Sequence, residues 1–253
     1  MAPTRELPGP VSAMLREHVL EPLSRTGGII EAEREEVEAE RRAFVRFRDR
    51  VADVETVTPS RCSTGSTLVA APEQRSTKSL DRVRVAFRET VMSVDHYSEV
   101  YGEALEEFAA AELSPEVAVG LGPGTSQSFT DLYKATLMNA VDSAADRRET
   151  IRDHLDGERD AVATHRATLI EMLDSLDWPP RARRQSDIED RLEEVTRARQ
   201  TELHRGFPLS GADGHDLCQY LYQDPEWTYP VLTGVTRFYA TLEAPSPDGR
   251  STR

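Results

Sequence analysis

From Leu137 to Leu176 one pattern repeats at alternating steps of four and three residues. It runs through Leu137, Val141, Ala144, Arg148, Ile151, Leu155, Glu158, Val162, His165, Leu169, Met172 and Leu176, nine of the twelve apolar. A spacing averaging about 3.5 residues, held over about five heptads, predicts one long helix with a narrow apolar seam that must be covered by other helices. The helix is expected over residues 129–177, opening after Ser128 and stopped by Pro179-Pro180.

The same register recurs twice upstream. Ile30, Glu33, Val37, Glu40, Phe44, Phe47, Val51 and Val54 predict a helix over 29–55, and Leu80, Val83, Phe87, Thr90, Val94, Tyr97, Tyr101, Ala104 and Phe108 predict one over 79–113. Ser114-Pro115-Glu116 is a start signal for a short helix that stops in the turn from Gly120 to Gly124. At 1.5 Å per residue the 129–177 helix, about 75 Å long, outlasts both partners, and a fourth helix over 186–205 is expected to turn back and cover its far half. The fold class this predicts is all-α: an elongated antiparallel bundle of coiled-coil-like long helices, with a small aromatic helical cap at the C-terminus.

Proline, glycine and polar runs set the expected boundaries. Residues 1–28 read as a loose N-terminal segment with a short helix near Val11 to Ser24, and 29–205 as the bundle, interrupted by a mobile loop at 56–77. Residues 206–243 read as the cap and 244–253 as a disordered tail. In the cap, Asp224-Pro225 is the expected start of the final helix and Pro230 an expected bend in it.

Composition changes the picture of the surroundings. The chain carries 45 acidic and 31 basic residues, and among the basic ones only Lys78 and Lys134 are lysine. Acid excess with lysine almost absent is the expected adaptation to a cytoplasm of very high salt, where apolar burial is strengthened and a net charge of −14 is screened within a few ångströms. Residues 1–14 contain no apolar core of signal-peptide length, and no window approaches the roughly 18 apolar residues of a membrane span, so a cytoplasmic chain without membrane contact is expected. Cys62 and Cys218 sit in no metal-binding spacing.

Candidate chemistry is sparse. His96, Glu99 and Glu103 share a helical face, yet no histidine has a glutamate three residues before it, the spacing that di-iron bundles use. The glycines of Gly120 to Ser126 lack the Gly-Lys-Ser/Thr ending of a phosphate loop. His215 and Cys218 share a helix face with no further ligand nearby in sequence. No catalytic, cofactor-binding or metal-binding residue is therefore assigned, and no cofactor or small-molecule substrate is evident. Glu33, Glu40, Arg148, Glu158 and His165 occupy seam positions where leucine would bind better; each must be paired or exposed, because a buried lone charge costs several kcal/mol.

Three strings carry a resemblance: ERRAFVRFRDRVADVE from Glu40, ETVMSVDHYSEVYGE from Glu89 and YLYQDPEWTYPVL from Tyr220. With them the chain resembles an uncharacterised haloarchaeal helical domain-of-unknown-function family, over roughly Ile29 to Leu242. The resemblance implies no activity. The expected function is that of a non-enzymatic scaffold or protein-interaction protein, through self-association or a helical partner, with Tyr220, Tyr222, Trp227 and Tyr229 as the interaction surface. The alternative is a regulatory module whose C-terminal short helices contact DNA or a transcription component. Nucleic acid is disfavoured, since between Gly206 and Leu242 only Arg237 is basic.

Overall fold

The computed structural model describes residues 13–57, 72–97, 104–122, 125, 127–175, 182–205, 214–223 and 227–243. Among them every regular element is a helix, so the fold is all-α. A π-turn at Arg16–Leu20 leads into α1 (Glu21–Ala52). There follow α2 (Pro72–Thr90), a 3-10 turn at Val91–Ser93, α3 (Leu105–Glu112), α4 (Pro115–Leu121), α5 (Asp131–Asp174), α6 (Ala182–Leu203), α7 (Gly214–Leu221) and α8 (Pro230–Glu243). None is long and apolar enough to cross a membrane. Of the mobile loop expected at 56–77, residues 58–71 lie outside the described residues, as does the tail expected at 244–253, and residues 72–77 are the first of α2 rather than loop.

The chain forms two compact units, one of residues 34–153 and one assembled from residues 1–33 and 154–253. Both divisions fall inside helices, α1 and α5, and not at the expected boundaries near 28 and 205. The reason is packing. α8 lies against α6 and against the π-turn near the N-terminus, and α7 against α6, so the aromatic segment is part of a core rather than a separate cap.

α1 begins eight residues before the expected Ile29 and runs through Pro22, Gly27 and Gly28. Pro22 stands two residues after the π-turn, whose wider bonding lets the helix absorb a residue that has no N–H. Val19, Leu23, Thr26 and Ile30 are buried at steps of four and three, so the seam crosses the glycine pair. The two glycines cost about 1 kcal/mol each, whereas burying Leu23 and Ile30 stabilises by about 1.5–3 kcal/mol apiece. Burial wins.

The helix expected over 79–113 is broken. α2 ends at Thr90, the chain tightens into the 3-10 turn, and Val94 is extended. The Thr90 hydroxyl donates to the Ala86 carbonyl at 2.7 Å and the Ser93 hydroxyl to Glu89 and Thr90 carbonyls, so side chains compete with the helical ladder where β-branched residues already weaken it.

In the 34–153 unit an aromatic core joins α1, α2 and α3: Phe47 meets Phe87 edge-on at 5.1 Å between ring centroids, and Phe108 contacts both Phe87 and Tyr97. α4 starts with the Ser114 side chain accepting from the Val117 N–H and Pro115 in the first turn. The Tyr133 hydroxyl donates to the Val117 carbonyl at 2.7 Å, and Arg84 donates to the Leu121 and Gly122 carbonyls at 2.9 and 2.7 Å, satisfying the end of α4. In the other unit Val19, Leu23, Leu169, Leu192, Val235 and Phe238 are buried, and Gly234 brings α8 close to Val19 and Leu23. Pro230 is the first residue of α8, where its fixed φ suits helix initiation, and not the bend expected of it; Asp224 and Pro225 lie outside the described residues.

Candidate functional site

Every described position of the α5 seam is buried except Ile151, which is 41% exposed. The polar seam residues are the informative ones, because each unit holds a buried arginine between two glutamates, one of which also bonds a histidine.

In the 34–153 unit Arg148 of α5 donates to Glu40 of α1 at 2.9 Å and to Glu112 of α3, and the His96 imidazole bonds the other Glu40 oxygen at 2.9 Å. The Arg148 guanidinium also stacks 4.8 Å from the Phe44 ring centre. Burial alone would favour losing its proton; the Glu112 and Glu40 carboxylates outweigh that and hold its pKa above the ordinary value.

In the unit built from both chain ends, Arg199 of α6 is 1% exposed and grips Glu158 of α5 with two bonds, at 2.9 and 2.7 Å. The fork-to-carboxylate geometry suits a buried pair. The Tyr222 hydroxyl donates to Glu158 at 2.9 Å, and Arg199 also reaches the Cys218 sulfur at 3.3 Å. On its other side Arg199 approaches Glu202 at 3.4 Å, and Glu202 bonds the His165 imidazole at 3.0 Å. Burial, then the neighbouring Glu158 charge, pushes the Cys218 thiol up to about 12, and the same two causes raise Tyr222. Both groups therefore stay protonated near neutral pH. A thiol so held is a poor nucleophile.

Glu33, the remaining polar seam residue, accepts from the Tyr220 hydroxyl at 2.7 Å. The structure thus pairs all five polar seam residues, with partners on other segments of the chain. Arg199 itself continues the α6 seam of Ile188, Leu192 and Val195 at steps of four and three, a position from which its burial was readable. Of the His96, Glu99 and Glu103 stripe, His96 is drawn to Glu40, and Glu99 and Glu103 lie outside the described residues.

The four aromatic residues expected to form one surface separate. Tyr220 is 59% exposed, whereas Tyr222 is 4% exposed and belongs to the interior because its hydroxyl serves Glu158. Trp227 is half-buried with the Arg237 guanidinium 4.4 Å from its ring centre, and Tyr229 is half-buried against His215. Among the described residues no group of three or more His, Cys, Asp or Glu side chains is arranged to hold a metal ion.

No curated protein and no solved structure matches the chain. The model of a domain of unknown function, DUF7260, matches residues 21–246 and so includes every residue of both buried networks; the chain belongs to that family.

Proposed function

We propose that this protein is a non-enzymatic helical scaffold that meets a protein partner, or a second copy of itself, through the accessible aromatic side chains Tyr220, Trp227 and Tyr229. The observation that carries this reading is the pairing of the buried charges. Arg148 and Arg199 each bind a carboxylate on a neighbouring helix, Arg199 leaving only its buried Nε without a partner, so the charges fix which helices meet and in what register. Recognition then falls to the surface. Tyr220 offers a ring with one wet face and a hydroxyl anchored on Glu33, the kind of group that anchors interfaces.

The test is affinity capture from the native organism together with light scattering of the full chain over a range of concentrations. Tyr220→Ala and Trp227→Ala are compared with the wild type after circular dichroism has shown the helices intact. Loss of a partner, or of self-association, in these variants is the expected result; a strict monomer with no retained protein, or a partner retained equally by both variants, refutes the proposal. The high-salt setting inferred from the acid excess belongs to the same proposal. It predicts that helix content falls on dialysis from molar to millimolar KCl.

A further inference from the structure

Of the seven described glycines, four have a close neighbour that explains them: a Cβ on Gly120, Gly122, Gly214 or Gly234 would meet Tyr133, Glu106, Leu203 or Val19 within 4 Å. Gly27, Gly28 and Gly157 differ. Among the described residues nothing lies within 4 Å of a Cβ on any of them, and none has the left-handed backbone that favours glycine. All three stand inside long helices, α1 and α5, where glycine weakens the helix more than any residue but proline. Neither packing nor backbone conformation calls for them. What they supply is a helix that bends and opens more readily.

Their places agree. The packing of the chain divides within these same two helices, after residues 33 and 153, and Gly28 lies five residues before the first division, Gly157 four after the second. Arg16 bonds Asp174 at 3.4 Å and Arg166 bonds Ser24 at 3.0 Å, one antiparallel register that sets Gly157 level with Glu33, about 7.5 Å along the axis from Gly28. Just before the glycine pair the Ser24 and Thr26 hydroxyls donate to the Leu20 and Pro22 carbonyls at 3.0 and 2.9 Å, bonds that slightly destabilise and often bend a helix. The turns around the glycines are anchored to other elements. Leu23 packs on Gly234 of α8 while Glu33 accepts from Tyr220, and Glu158, next to Gly157, is gripped by Arg199 and Tyr222.

We infer that Gly27-Gly28 and Gly157 are coupled hinges: α1 and α5 bend together at these positions, and the bend in α1 carries Glu33 off the Tyr220 hydroxyl. Leu23, on the near side of the glycine pair, stays with α8, while Glu33, on the far side, moves. The motion is a local opening of a few helical hydrogen bonds, on the microsecond-to-second scale. It sets how free Tyr220 is to meet a partner, a role that rests on the proposed interaction surface. The hinges themselves do not depend on that surface.

The test is amide hydrogen exchange of the full chain in molar KCl, read at single residues as protection against the intrinsic rate. Protection at Gly27, Gly28 and Gly157 should be at least about 5-fold below that one turn to either side, the factor that the weaker helix propensity of glycine supplies. Gly157→Ala should slow exchange not only around itself but also at residues 27 and 28 of α1, and Gly27→Ala/Gly28→Ala should slow it at residue 157 of α5. A change in propensity alone stays on its own helix. The Phe47 and Phe87 amides, in the core of the 34–153 unit, report any change in overall stability. Tyr220→Phe, which lacks the hydroxyl bound to Glu33, should speed exchange from Ile29 to Glu33. Even protection through the glycine positions, or an effect of each alanine confined to its own helix, overturns the hinges; unchanged exchange in Tyr220→Phe overturns their link to Tyr220. No partner is needed, so the outcome is independent of whether one is found.

Discussion

Replacing Arg199 with methionine removes the guanidinium from Glu158 but leaves the carboxylate beneath its helices. Two charge-assisted hydrogen bonds of about 1.5–3 kcal/mol each are lost, and the Tyr222 hydroxyl, still 2.9 Å away, and the weakly donating Cys218 thiol at 3.9 Å remain to compensate. The expected destabilisation is about 3–5 kcal/mol, the range for breaking a buried pair from one side. A surface control isolates the cause. Arg197 and Glu193 are 2.7 Å apart, as close as the Arg199–Glu158 contact, but both side chains are 66% exposed, so Arg197→Met should cost no more than about 1 kcal/mol. Replacing the whole buried set with apolar groups, in Arg199→Met/Glu158→Leu/Tyr222→Phe, should recover most of the loss, because no charge is then left unpaired. Urea unfolding at fixed salt, followed by tryptophan fluorescence and circular dichroism, gives the three values. An Arg199→Met cost equal to that of Arg197→Met, or a triple variant no more stable than the single, would refute the reasoning.

Four further outcomes are expected. Gly120→Ala should destabilise by about 1–3 kcal/mol, since its Cβ would overlap the Tyr133 ring and displace the bond to Val117; Gly157→Ala, with open space around it in mid-helix, should stabilise by about 0.5–1 kcal/mol, both read from urea midpoints. Glu38 is held at about 2, first by the Arg41 hydrogen bond, against burial, and then by the Arg41 and Arg42 charges. Its pairs therefore contribute fully above the ordinary value of 4.5 and are lost as pH falls toward 2, so Glu38→Gln should flatten the acid limb of the stability curve in that window. In a Cys62→Ser background the Cys218 thiol should resist a disulfide reagent at pH 8 until the chain is unfolded. The stability its neutral form contributes should disappear only as pH climbs from the ordinary 9 toward 12.

The all-α class was legible because the seam of α5 is long, and a repeat held for that many turns admits no strand reading. Local breaks were less legible. Gly27-Gly28 carries a strong stop signal that the buried seam from Val19 to Ile30 overrides, whereas the Thr90 to Val94 segment has no glycine or proline to mark the end of α2. The polar seam residues could be named from spacing alone, but their partners could not. Glu112, Arg199 and Glu202 reach them from other helices, and the pairing depends on which helices pack together. Tyr220 and Tyr222 show the same limit: two residues apart, they end on opposite sides of the burial divide because α7 ends between them.

The division of the chain has a consequence for the order in which it can fold during synthesis. Residues 34–153 are contiguous, so that unit has all its parts once its own stretch has been made. The other unit waits. Its first residues carry Leu15, Val19, Leu23 and Ile30, yet the helices that bury them come only after residue 154, so at about 5–20 residues per second an apolar stripe stands uncovered for about 10 seconds or more. Anything that slows translation between the two halves lengthens that exposure, and synthesis rate thereby becomes a determinant of yield for one unit and not for the other.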